Sequence, residues 1–115
     1  MGERPEVYDA RYLEGVRLFN AGDFWHAHEA WEGLWLDCAP ADRRFYQGLI
    51  QAAASRYHAS NGNSVGESRL QASALSKLAD YPSRHRGLDL NAFRRVLETG
   101  GIPVIVLDPA PEVSE

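Results

Sequence analysis

The 115-residue chain predicts an all-α fold, a single compact bundle of about five helices with an extended C-terminal strap. Three observations carry that reading. Apolar residues recur at helical spacing through most of the chain. Turns marked by Gly, Asn or Pro interrupt them at short intervals. The one β-type run, Pro103-Val-Ile-Val-Leu107, is too isolated to build a sheet and reads as a strap lying on the bundle. A chain of this length forms one domain, read as a helical bundle over residues 1–101 and an extended tail over 102–115.

The first helix is expected from about Val7 to Asn20, with Tyr12, Val16 and Phe19 at i, i+4 and i+7 and Leu13 beside them. Asn20-Ala21-Gly22 stops it, and so short a connection forces an antiparallel hairpin with the second helix. That second helix spans Phe24 to Asp37, with Asp23 placed to cap it. Phe24, Ala27, Trp31, Leu34 and Trp35 make its core stripe. Pro40 ends it and opens the third helix, about Asp42 to Ser60, whose broad apolar face holds Phe45, Tyr46, Leu49, Ile50, Ala53 and Tyr57. A stripe of Gln47, Gln51 and His58 along it needs hydrogen-bond partners. After the turn Asn61-Gly62-Asn63, Ser64 and Glu67 have the spacing of a capping box. The fourth helix then carries Leu70, Ala74, Leu78 and Tyr81, and Pro82 closes it. Residues 83–88 read as a loop rich in Arg and His. A short fifth helix over about Asp89 to Thr99 buries Leu90, Phe93, Val96 and Leu97 before Gly100-Gly101, and Asp108 to Glu115 read as a frayed terminus.

Composition excludes several function classes. An apolar share of 44% is too high for general disorder. The net charge of −4 comes from interspersed signs, so no basic footprint for nucleic acid or an anionic membrane is present. No window approaches the ~20 apolar residues of a membrane span, and the N-terminus has no signal-type apolar core. The single Cys38 has no internal disulfide partner, which fits the cytoplasm. An apolar strap at Val104–Leu107 could seat a second subunit, so a homo-oligomer stays open.

The chemistry concentrates in Asn20–Asp37, which holds all three tryptophans and two of the four histidines. His28 and Glu32, four residues apart, share one helix face on the shoulder of the core stripe. An imidazole and a carboxylate so placed can hold a divalent metal such as zinc, with His58 as the third donor from the next helix. His28-Glu29-Ala-Trp-Glu32 also has the outline of the zinc-protease pattern, with Glu29 in the place of its base and Glu32 replacing the second histidine. On that reading the protein is a metal-dependent hydrolase. A second reading is a non-catalytic pocket for a small molecule or peptide, lined by Trp35, Gln47, Gln51 and His58, with Glu29 as a further ligand-binding residue. A third is an interaction domain in which Glu32 accepts a hydrogen bond from His28 and the polar cluster is internal. His26 reads as exposed, beside Glu29.

Phe19-Asn20-x-Gly22, then His28-x-x-x-Glu32-x-x-Trp35, Gln47-Gly-Leu-Ile-Gln51 and Gly62-Asn63-x-x-Gly66 appear in this order. That series resembles the small bacterial and archaeal family of unknown function number 309, over roughly Val7 to Leu97. The resemblance implies a compact helical bundle, and it marks His28, Glu32 and Trp35 as the motif proposed to matter and to bind metal. It assigns no activity, so whether the chain is an enzyme is left open. Relatives usually carry Glu where this chain has His26.

The core stripe generates a direct test. Trp31→Ala is expected to cost about 3–5 kcal/mol in chemical denaturation, as for a large buried aromatic. A loss below ~1 kcal/mol would mean that Trp31 faces solvent.

Overall fold

The computed structural model describes residues 8–109. Its elements are α1 (Ala10–Asn20), α2 (Phe24–Asp37), a 3₁₀ turn (Pro40–Asp42), α3 (Arg43–Ser60), α4 (Ser64–Leu78), strands β1 (Arg84–His85) and β2 (Leu88–Asp89), and α5 (Leu90–Glu98). The fold is the expected helical bundle with its strap. Val7 and residues 110–115 lie outside the described residues. The first helix starts later than its periodicity suggests because Asp9 caps it, its carboxylate accepting from the Arg11 N–H at 2.8 Å.

The layers follow from where the apolar stripes point. Helix α3 is the middle of the bundle, with α2 on one side and α4 on the other, while α1 packs on α2 and α5 on α4. Tyr12, Phe19, Phe24, Ala27, Trp31, Leu34, Phe45 and Leu49 form the core between the first three helices. Trp31 is fully buried, and its indole N–H donates to the Tyr12 carbonyl at 3.2 Å. Helix α1 comes that close because residue 15 is glycine: a Cβ there would stand 2.0 Å from Trp31 Nε1. Gly48 does the same for α3 and α4, where a Cβ would meet Leu78 at 2.7 Å.

One cap differs from the sequence reading. Asn63, not Ser64, caps α4, its Oδ1 accepting from the Gly66 N–H at 2.9 Å. Glu67 is thereby released from a capping box and turns to Arg56, with Oε2 2.7 Å from Nη2. Arg56 is 3% exposed. It also donates to Gln71 Oε1 at 2.9 Å and to the carbonyls of Gly100 and Gly101, so one buried guanidinium ties α3, α4 and the end of α5 together. Helical periodicity does not flag such a residue.

The strap lies on the bundle by alternation, with Pro103 and Ile105 buried and Val104 and Val106 outward. Asn20 holds it like a neighbouring strand: its Nδ2 donates to Ile105 O at 2.8 Å and its Oδ1 accepts from Ile105 N at 2.9 Å. Asp108, expected to begin a frayed end, is fixed through its N–H to Gly87 O at 2.8 Å and its carboxylate to Arg84. Among the described residues, no helix is long and apolar enough to cross a membrane.

Gly15→Ala separates close packing from helix propensity. Alanine is the better helix former by roughly 1 kcal/mol. Its methyl must nevertheless displace a buried indole, so a net loss of about 2 kcal/mol is expected in urea denaturation. A stabilised variant would show that α1 and α2 do not depend on this approach.

Candidate functional site

Helix α2 presents two faces. Its inner face carries Phe24, Ala27, Trp31 and Leu34 into the core. At 100° per residue, Trp25, Glu29, Glu32 and Leu36 fall within roughly 60° of one another on the outside. Trp25 is 47% and Leu36 69% exposed. Between the two faces lie His28 and Trp35, both half-buried and turned towards α3. The Trp25 ring stacks on His28 at 5.2 Å and an interplanar angle of 21°, and also meets Tyr57 of α3 at 5.2 Å. At the other end of the seam the Arg43 guanidinium of α3 sits 4.8 Å over the Trp35 ring. Under these covers, His28 Nδ1 and Trp35 Nε1 are buried with no hydrogen-bond partner among the described residues.

His28 Nε2 and Glu32 Oε2 stand 3.6 Å apart, side by side but beyond hydrogen-bond length. His58 does not join them. It is held at the α3–α4 turn, with Nδ1 3.3 Å from Asn63 Nδ2 and the ring edge-on to Tyr57. Among the described residues, no three His, Cys, Asp or Glu side chains converge as a metal-binding group. The zinc site of His28, Glu32 and His58 therefore lacks its third donor, and the hydrolase reading loses its footing. The physical reason is local: the Asn63 cap that starts α4 also orients His58. His26 likewise pairs with Asp23, at 2.9 Å, rather than with Glu29.

The glutamines are half-buried as expected. Gln51 sits roughly 60° round α3 from Gly48, which abuts α4, and roughly 120° from Tyr57, which meets α2. Its wheel position is nearer the α4 side, its Oε1 is buried without a partner among the described residues, and no hydrogen bond joins it to His28 or Glu32. Glu29 is exposed, with no ion-pair partner among the described residues.

A cleft among those residues lies elsewhere, between the start of α1, the end of α2 and the β1–β2 hairpin. It measures about 1050 Å³ and is lined by none of Trp35, Gln47, Gln51 or His58. Its floor is Asp42, 4% exposed. Asp42 Oδ2 accepts from Arg86 Nη2 at 2.6 Å, and Oδ1 lies 2.7 Å from His85 Nε2. An ionised carboxylate can only accept, so His85 Nε2 carries the proton. Burial raises the Asp42 pKa, but the hydrogen bonds from Arg86 and His85 outweigh it and leave it below the usual carboxylate value. The segment read as a loop is a hairpin pairing Arg84 with Asp89 and His85 with Leu88. Arg86 (φ 50°) and Gly87 (φ 76°) form its turn. The left-handed Arg86 is strained for a residue with a Cβ. It is held by the Tyr12 hydroxyl, which donates to Arg86 O at 2.9 Å, and by the ion pair with Asp42. Sequence reasoning missed this cluster because Asp42 and His85 are 43 residues apart and neither sits in a spaced motif. Cys38 also lines the cleft, where burial pushes its thiol pKa up, against a nucleophilic role.

Residues 12–70 match the family model described as a domain of unknown function, DUF309. The chain belongs to that family. An uncharacterised protein of Aquifex aeolicus (strain VF5) is 35% identical over 86 residues, covering 74% of this chain and 26% of the relative. The uncharacterised protein YpuF of Bacillus subtilis (strain 168) is 31% identical over 85 residues, covering 72% of this chain and 47% of its own length. The chain thus spans about a quarter and about half of the lengths of these relatives. The family segment contains the whole α2 stripe. Of the cleft it contains the walls from α1, the end of α2 and α3, including Tyr12, Asp37, Asp42 and Tyr46, but not His85, Arg86 or Asp108.

The Asp42 cluster has a pH signature. A carboxylate with a depressed folded pKa stabilises the fold above its unfolded pKa of about 3.9, and that contribution is lost as pH falls through the folded value. Asp42→Asn is expected to cost about 1–3 kcal/mol at pH 7, because the hydrogen bonds from Arg86 and His85 lose their charged acceptor. The gap to wild type should narrow below about pH 4. Denaturation curves with a constant gap from pH 7 to pH 3 would show that charge is not what Asp42 contributes.

Proposed function

We propose that this domain is a non-catalytic docking module that takes a basic amphipathic helix along the outer stripe of α2. One observation carries the reading: Trp25 and Leu36, eleven residues and roughly 16 Å apart on one helix face, are both exposed, with Glu29 and Glu32 between them. Exposed large aromatics are the usual anchors of interfaces. Here two apolar ends bracket two carboxylates, a pattern complementary to apolar residues flanking Lys or Arg. Among the described residues, Glu29 has no counter-charge and Glu32 has only His28 beside it.

The covered polar atoms support the same reading. A partner that lifts Trp25 from His28, or Arg43 from Trp35, uncovers a ring nitrogen that has no partner among the described residues. The motif residues His28, Glu32 and Trp35 then act as the inner edge of a contact surface rather than as catalytic groups. The longer chains of the two relatives also fit a module that works attached to something else. A reducing, cytoplasmic setting belongs to this proposal, since Cys38 is the sole cysteine.

The test is fluorescence anisotropy with a labelled 14-residue Leu/Lys amphipathic peptide and an acidic Leu/Glu control. Wild type is expected to bind the basic peptide only. Leu36→Glu and the double variant Glu29→Lys/Glu32→Lys should each weaken it at least tenfold, about 1.4 kcal/mol, with Tm unchanged. Equal binding by wild type and both variants, or no binding of the basic peptide, would sink the proposal.

A further inference from the structure

We propose that the cleft floored by Asp42 binds a small organic cation, a protonated amine on a short aromatic or alkyl body. This is independent of docking on α2, since the cleft and the stripe share no residue. At about 1050 Å³ the cavity is of small-molecule size.

Charge selects the sign of the ligand. The lining carries Asp9, Asp37, Asp42 and Asp108 against Arg11 and Arg86, so it is net negative whether His85 is neutral or protonated. The compensation is also shared. Asp9 and Asp37 divide one guanidinium, Arg11, at 3.0 and 3.2 Å. Asp108 divides Arg84 with Asp89, at 3.2 and 3.8 Å. Both lining arginines already lie on carboxylates, which leaves an incoming anion facing the excess aspartates.

A second observation points to a ligand. Tyr46 is 5% exposed and lines the cleft, yet its hydroxyl has no hydrogen-bond partner among the described residues. Its neighbours differ: the Tyr8 hydroxyl donates to Asp108 O at 2.6 Å and the Tyr12 hydroxyl to Arg86 O. Burial holds the Tyr46 pKa up to about 12, so the group stays a neutral phenol whose oxygen accepts from an ammonium N–H. Tyr8, Tyr12 and Tyr46 pack edge to face in a row, with successive ring centroids 5.8 Å apart. They form an electron-rich wall suited to a cation and its hydrocarbon body.

The experiment titrates the full chain with phenethylamine, and separately with phenylacetate, at equal ionic strength and pH 7. Amide shifts are followed by NMR and heats by calorimetry. Phenethylamine is expected to give saturable shifts at Tyr12, Tyr46 and Arg86, weakened by added salt, while phenylacetate leaves them in place. Tyr46→Phe should weaken binding about fivefold, the equivalent of one hydrogen bond of about 1 kcal/mol. Asp37→Asn, on an exposed side chain, should weaken it with Tm unchanged and carries the test if Tyr46→Phe folds poorly. Binding of phenylacetate at equal strength, absence of saturable shifts, shifts confined to α2, or unaltered affinity in both variants would overturn the proposal. Failure here would leave the α2 peptide result untouched.

Discussion

The buried Arg56 guanidinium is the constraint on which the closure of this bundle depends. A charge inside a small domain is stable only when its hydrogen bonds are met. Here they are met by three different parts of the chain: Glu67 and Gln71 of α4, and the carbonyls of Gly100 and Gly101 beyond α5. Satisfying one side chain of α3 therefore fixes where α4 lies and where α5 must end. Gln71 extends the link by donating to Glu98 O. The Val96 and Leu97 carbonyls are taken by the N–H groups of residues 99–101, and the Arg56 cation lies just past the helix C-terminus, which suits the helix dipole. With α5 stopped at that point, the strap leaves in the direction that brings Ile105 to Asn20.

On the other side of α3 the constraint is steric rather than ionic. Trp31 fills the space among α1, α2 and α3, and Gly15 lets the α1 backbone meet its indole. Filling that space uses up the inner face of α2 and sets its rotation. That rotation is what leaves Trp25, Glu29, Glu32 and Leu36 outside. The outer stripe is thus a consequence of core packing, and its exposed apolar surface is a standing cost in water that a partner would relieve.

The cleft has a different origin. It sits where the start of α1, the end of α2 and the hairpin converge, and its walls are held by a few long-range polar contacts. Asp42 gathers His85 and Arg86, Tyr12 holds the strained turn, and Asp108 binds back to Gly87. Gly87 is required there because a Cβ would stand 1.9 Å from the Tyr8 hydroxyl. Most of these partners lie outside the segment that matches the family model, whereas the α2 stripe lies wholly inside it. The two surfaces share no residue, although both draw on α2.

Helix positions, most core residues and the motif on α2 were legible from sequence because they rest on local rules, although Val96, expected to be buried, is 39% exposed. A period of 3.6 places Trp31 inward and Glu32 outward whatever the neighbours are, and Asp23 or a Gly-bearing turn acts over three or four residues. The spacing of His28 and Glu32 was legible for the same reason. Their partners were not, because those depend on how helices pack. His58 is turned away by the cap of the following helix, Gln51 lies nearer the α4 side of the wheel, and the cleft assembles groups from residues 9, 42, 46, 86 and 108. The sequence by itself determined which faces are apolar and how many helices there are, with their approximate spans. Only the tertiary structure decided which polar groups meet, because a buried charge such as Arg56 or Asp42 finds its counterpart across the fold, and no local period encodes that distance.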